Sequence, residues 1–123
     1  MPNSPVCWFE IYVQDMPRAR AFYEGVLGLT LERIGSADLE MWGFARDPEK
    51  SGMAGALVHM PGVPSGGNST LVYFACEDCA AEEARVEPCG GRVERPKMSI
   101  GEYGFVTLAR DTEGNLFGLW SRE

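Results

Sequence analysis

His59 is the only histidine of the chain, and an imidazole suits proton transfer near neutrality. The plainer reading is a strand histidine that is half exposed or hydrogen-bonded, because a lone histidine without a substrate pose does not establish a general base. Glu10 is the stronger candidate. It stands in Trp8-Phe9-Glu10-Ile11-Tyr12, where alternation puts Trp8, Glu10 and Tyr12 on one face. A carboxylate in an aromatic row is partly desolvated, which suits it to proton transfer or to anchoring a donor on a ligand; pairing as structural support is the alternative. Cys76-Glu77-Asp78-Cys79 has the C-x-x-C spacing. The two carboxylates between the thiols oppose thiolate formation, and no second C-x-x-C or histidine pair completes a zinc site. Gly62 to Asn68 is glycine-rich but lacks the lysine and following helix of a phosphate loop. Both motifs read as structural.

The elements that position these residues centre on the stretch from Phe9 to Leu29. Phe9, Ile11 and Val13 alternate with polar residues as in a strand. Asp15 can cap a helix, Pro17 suits its first turn, and Ala19, Phe22, Tyr23, Val26 and Leu27 recur at helical spacing before Gly28 stops it. The same grammar returns at Leu71–Ala75, Asp78 and Gly91, offset by 63 residues, and Ala45-Arg46-Asp47-Pro48-Glu49 echoes Ala109-Arg110-Asp111-Thr112-Glu113 at an offset of 64. In order, the chain predicts strands near 7–14, 29–34, 39–45, 53–60, 70–76, 92–95, 105–110 and 115–121. Helices follow the first and fifth, and 96–104 reads as a loop. This is an α+β arrangement of two βαβββ units, about 6–60 and 70–121, joined by a linker over 61–69 within one domain of 1–123.

Composition narrows the function classes. A net charge of −7, with no cluster of Lys or Arg, argues against nucleic acid. No apolar run reaches the roughly 20 residues of a membrane span, and Met1–Pro5 lacks signal-peptide character, so the expected location is cytoplasmic. Cys7, Cys76, Cys79 and Cys89 are then expected as thiols.

The opening F-E-I-x-V-x-D, the helix R-A-x-x-F-Y ending in V-L-G, and the closing D-x-E-G-N before the last strand resemble the vicinal oxygen chelate superfamily, the glyoxalase, bleomycin-resistance and extradiol dioxygenase fold. The resemblance runs from Trp8 to Trp120. It implies an open, curved mixed sheet with helices on its outer face and a site in the concave cup, usually with a divalent metal held by one residue from the first and last strand of each unit. Those positions fall here on Trp8, Leu71, Gly118 and, carried back by 63, Gly55. None can donate to a metal, so neither metal nor other cofactor is expected.

If these positions face the cup, strand alternation adds Glu10, Tyr12, Leu57, His59, Tyr73 and Trp120. Glu10 and His59 are then the candidate catalytic groups, with Trp8, Tyr12, Leu57, Tyr73 and Trp120 as ligand-binding walls. Tyr73, 63 residues after Glu10, is its expected partner across the cup. The resulting expectation is a metal-independent homodimer that binds a small, partly apolar molecule. A glyoxalase-type lyase or isomerase, and a drug- or metabolite-sequestering protein, are the alternatives.

Overall fold

The computed structural model describes residues 8–35, 37–44 and 54–123. The elements are β1 (Trp8–Tyr12), α1 (Met16–Leu27), β2 (Leu31–Ile34), β3 (Glu40–Phe44), β4 (Ala54–His59), β5 (Tyr73–Ala75), α2 (Cys79–Val86), β6 (Arg92–Ser99), a 3-10 turn (Gly101–Tyr103), β7 (Phe105–Arg110) and β8 (Leu116–Ser121). They form two four-stranded sheets of matching topology, β1-β4-β3-β2 and β5-β8-β7-β6. In each, the first strand runs parallel to the last, and the other pairs are antiparallel. This is the α+β repeat that the sequence predicts.

Local chemistry sets the helix limits. The Asp15 carboxylate accepts the Arg18 amide at 3.0 Å, and Gly28, at φ 67°, closes α1 by donating its amide to Glu24 O; a cap of this kind is worth about 1 kcal/mol. Asp78 caps α2 in the same way through the Ala80 amide. Met16, Ala19, Phe22, Tyr23 and Val26 are buried along one face of α1; Ala19, Phe22, Tyr23 and Val26 belong to the stripe that helical spacing predicts, and Leu27 is only partly buried beside it.

That stripe serves both sheets. Tyr23 packs its ring against Phe44 of the first sheet and against Phe74 and Phe117 of the second, with centroids 5.5 to 5.9 Å apart. Phe9 and Phe74 also meet across the boundary at 6.1 Å. Aromatic pairs at such separations add about 0.5–1.5 kcal/mol each beyond the area they bury. The helices therefore cover one face of each sheet, and the Trp8, Glu10, Tyr12 face lies opposite.

Several strands differ from their predicted limits. β5 covers only Tyr73–Ala75 rather than 70–76; Asn68 takes up the neighbouring chain by donating to Thr70 O and Leu116 O and accepting the Leu116 amide. β6 runs on to Ser99 where a loop was expected over 96–104. Its register shifts between Arg95 and Met98, and such an irregularity lets Pro96 sit in a strand without a donor. The echo at Ala45–Glu49 lies outside the described residues.

Candidate functional site

Strand register decides which side chains share the outer face. Trp8, Glu10 and Tyr12 stand beside Ala54, Ala56 and Val58, whereas Phe9 and Ile11 stand beside Gly55 and Leu57; parallel neighbours in register point the same way. Leu57 is fully buried within the hydrophobic core. The expectation that Leu57 lines the cup is therefore corrected, and His59, two residues on, shares its parity and leaves the outer row too. The physical reason is a one-residue slip. Glu10 corresponds to Tyr73 at an offset of 63, but their partners Ala56 and Gly118 correspond at 62, so the equivalent of Gly118 is Ala56 rather than Gly55. A side chain at Gly55 would overlap the Phe9 ring on the core side.

On the outer face Glu10 is held from both sides. Its carboxylate accepts the Trp8 indole Nε1 at 3.1 Å and the Tyr12 hydroxyl at 2.7 Å. That bond to Glu10 raises the Tyr12 phenol above its usual pKa, because the carboxylate favours the protonated phenol. Glu10 thus pairs along its own strand, in place of the expected partnership with Tyr73 across the cup. Tyr73 is 46% exposed, and its ring lies over Gly118, where any side chain would overlap it. Trp120 sits on the outer face of the second sheet and donates its indole to Tyr103 O at 2.8 Å.

Between the free edge of β1 and the start of β8 is a cleft of about 190 Å³. Glu10 and Tyr12 line one wall, Val72 and Leu116 the other, with Pro64 and Asn68 from the linker. Trp8, Tyr73, Trp120, Leu57 and His59 are not part of this lining.

The family's metal positions do not fit a divalent ion. Trp8, Ala56, Leu71 and Gly118 carry no donor oxygen or imidazole, and the Tyr73 ring takes up the space a ligand at 118 would need. Among the described residues no three His, Cys, Asp or Glu side chains gather in a way that could hold an ion. The C-x-x-C is likewise structural. Burial and the Glu82 carboxylate push the Cys76 thiol up to about 12, and Cys79 is buried at the start of α2.

The residues that sequence reasoning passed over are those of the turn between β7 and β8. Glu113 has no exposed side-chain area. It accepts the amides of Gln14 and Asp15 at 2.9 Å, Arg18 Nε at 2.8 Å and Nη2 at 3.1 Å, and the Thr112 hydroxyl at 2.9 Å. Burial pushes its carboxyl up, but Arg18 and the surrounding donors outweigh burial and hold it at about 2. Asp111 accepts the Tyr23 hydroxyl at 2.7 Å. Asn115 donates to Tyr12 O at 3.0 Å and accepts the Gly66 amide at 2.6 Å. A turn of the second unit thus clasps the segment after β1 and the first turn of α1, and ties to the backbone of Tyr12 through Asn115. The signal was present in the sequence: two carboxylates and an amide offer more hydrogen bonds than a short turn can use on itself.

Comparison with known proteins places this arrangement. The chain is 32% identical over 119 residues to CFP32 of Mycobacterium tuberculosis (strain CDC 1551 / Oshkosh), whose glyoxylase name is provisional, covering 95% of this chain and 44% of that protein. It is 25% identical to the anthracycline biosynthesis protein DnrV of Streptomyces peucetius, covering 98% of this chain and 48% of that one. The chain therefore spans about half the length of the curated relatives it matches. Among solved structures, TnmS3, an antibiotic binding protein from Streptomyces sp. CB03234, superposes with a TM-score of 0.72 at 26% identity, covering 100% of this chain and 99% of that one. A glyoxalase/bleomycin resistance protein from Albidiferax ferrireducens T118 gives 0.73 at 22% identity, covering 98% and 100%. Residues 6–119 match the family model, and the chain belongs to the Glyoxalase/Bleomycin resistance protein/Dioxygenase superfamily.

Proposed function

We propose that this chain binds a small, partly apolar molecule at the Trp8–Glu10–Tyr12 row and the adjoining cleft, without a metal ion. The observation that carries the reading is the carboxylate of Glu10, fixed between an indole and a phenol beside a cleft that mixes Val72, Leu116 and Pro64 with Asn68, Thr70 and Asn115. Polar groups held rigid in an aromatic and aliphatic setting are the ordinary make-up of a small-molecule site. The absence of donor side chains at Trp8, Ala56, Leu71 and Gly118 supports the metal-independent form. Likeness to TnmS3 supports sequestration over turnover, whereas likeness to CFP32 favours a lyase or isomerase of glyoxalase type as the second reading. Elemental analysis and binding measurements on chelator-treated protein test the first reading; one equivalent of metal retained after chelation overturns its metal-independent form. Turnover of a carbonyl or epoxide substrate by the same preparation establishes the second.

The reading extends to a homodimer in the cytoplasm. Trp8, Tyr73, Ile100 and Tyr103 are exposed large apolar side chains, and a two-fold partner can bury such surface. Light scattering at micromolar concentration tests this: a monomer mass removes it.

A further inference from the structure

We propose that the molecule taken by this cleft is an organic cation, an amine or ammonium group carried on an apolar, ring-sized body. The inference rests on the binding reading above and names the ligand class of that site. It follows from which polar atoms around the cleft are still free.

The phenol, indole and side-chain amide donors of Tyr12, Trp8, Asn115 and Asn68 are spent. Tyr12 gives its hydroxyl proton to Glu10 Oε1, and Trp8 gives its indole proton to Glu10 Oε2. The Asn115 amide nitrogen donates to Tyr12 O and Asp111, and that of Asn68 donates to Thr70 O and Leu116 O. Both amide oxygens are occupied as well, by Gly66 N and Leu116 N. Among these side chains, unused capacity remains on the Glu10 carboxylate, which has about four acceptor sites and uses two, and on the lone pairs of the Tyr12 oxygen. The Thr70 hydroxyl can turn to either role. Among the described residues no lysine, arginine or histidine lines the cleft. Arg110 stands beside Leu116 in register, but its guanidinium is committed to Glu94 and Gly114 O.

A site that offers acceptors, one fixed negative charge and a single hydroxyl as donor repels an anionic ligand and satisfies a neutral ligand mainly through that ligand's own donor. An ammonium supplies both charge and up to three donors. The Trp8 and Tyr12 rings beside Glu10 add π faces that attract a cation, while Val72, Leu116 and Pro64 supply apolar wall for the body. The net charge of −7 favours the same class of ligand at long range.

Three probes with one ring system and three charge states separate the possibilities: 2-naphthylmethylammonium, 2-naphthalenemethanol and 2-naphthoate, titrated at low salt with the Trp8 indole resonance as reporter. The expected order is ammonium tightest, by about tenfold over the alcohol, with naphthoate weakest. In Glu10→Gln the preference for ammonium disappears, the ammonium losing about tenfold more affinity than the alcohol. In the wild type, raising the salt to about 0.5 M weakens the ammonium and leaves the alcohol unaffected, a readout that does not depend on any variant. Equal affinities for ammonium and alcohol, tightest binding of naphthoate, or an ammonium preference that survives Glu10→Gln overturns the inference while leaving small-molecule binding intact. If none of the three moves the Trp8 resonance, the binding reading itself falls, and the inference with it.

Discussion

Replacing Glu113 with Gln keeps the shape of the β7–β8 turn and removes one charge. Each carboxylate oxygen of Glu113 accepts at least two hydrogen bonds, three on Oε1 and two on Oε2. A Gln amide turns its N–H2 either toward the Gln14 and Asp15 amides or toward Arg18 Nε, and in both orientations Arg18 loses its charged partner. The magnitude follows from linkage. The folded protein holds this carboxyl at about 2, against an ordinary value of 4.5, a difference equivalent to roughly 3 kcal/mol of stability at neutral pH. Arg18 is 52% exposed, and solvent screening of its charge brings the expected loss nearer to 2 kcal/mol. Because the folded pKa is the lower one, this stabilisation is complete above about pH 5 and is lost as pH falls toward 2. Urea melts of wild type and Glu113→Gln should therefore differ by about 2 kcal/mol at pH 7 and by less than about half of that at pH 3. A gap below about 0.5 kcal/mol at pH 7, or one that does not change with pH, refutes the stabilising role of the clasp.

Two further predictions use the glycines and the thiol. Gly55→Ala drives a methyl into the Phe9 ring, which is packed against Phe44 and Phe74, and should cost about 1–3 kcal/mol in a denaturant melt. Gly118→Ala meets the Tyr73 ring instead; that ring is 46% exposed and can swing away, so the loss should be smaller, and the reverse ranking would contradict the assigned faces. With its thiol pushed up to about 12 from 9.0, Cys76 holds roughly a thousandfold less thiolate than a free cysteine near neutral pH. Mass spectrometry after iodoacetamide should find it slow in the folded chain and fast in urea; labelling at the free-thiol rate would refute the buried setting.

The fold was legible because its signals are local and occur twice. Asp15 and Gly28 bracket α1 and Asp78 opens α2, although α2 ends at Val86, before the turn that leads to Gly91; alternation at Phe9, Ile11 and Val13 marks the core face of β1. The site was legible only in part. Trp8, Glu10 and Tyr12 share one strand, so a single alternation rule places them together. Assigning β4 required comparing two strands across the repeat, where a one-residue difference in spacing reverses every side chain; this is why Leu57 faces the core. The contacts of Asp111, Glu113 and Asn115 reach residues about a hundred positions earlier in the chain, and nothing in the local pattern names their partners. Pro96 argued for a loop by its missing donor, which a bulge in β6 accommodates.

The central claim is that the Trp8–Glu10–Tyr12 row binds a small molecule unaided by metal, and the chain's three tryptophans allow it to be read in one spectrum. Trp8 donates to Glu10 on the outer face. Trp42 lies on the helix side, with the Arg20 guanidinium 3.5 Å from its ring centroid, and serves as an internal control. Titrating chelator-treated, 15N-labelled protein with 2-naphthylmethylammonium should shift the Trp8 indole and leave Trp42 in place, with the same affinity after zinc is added. A shift that requires zinc, or one seen at Trp42 and absent at Trp8, would contradict the account.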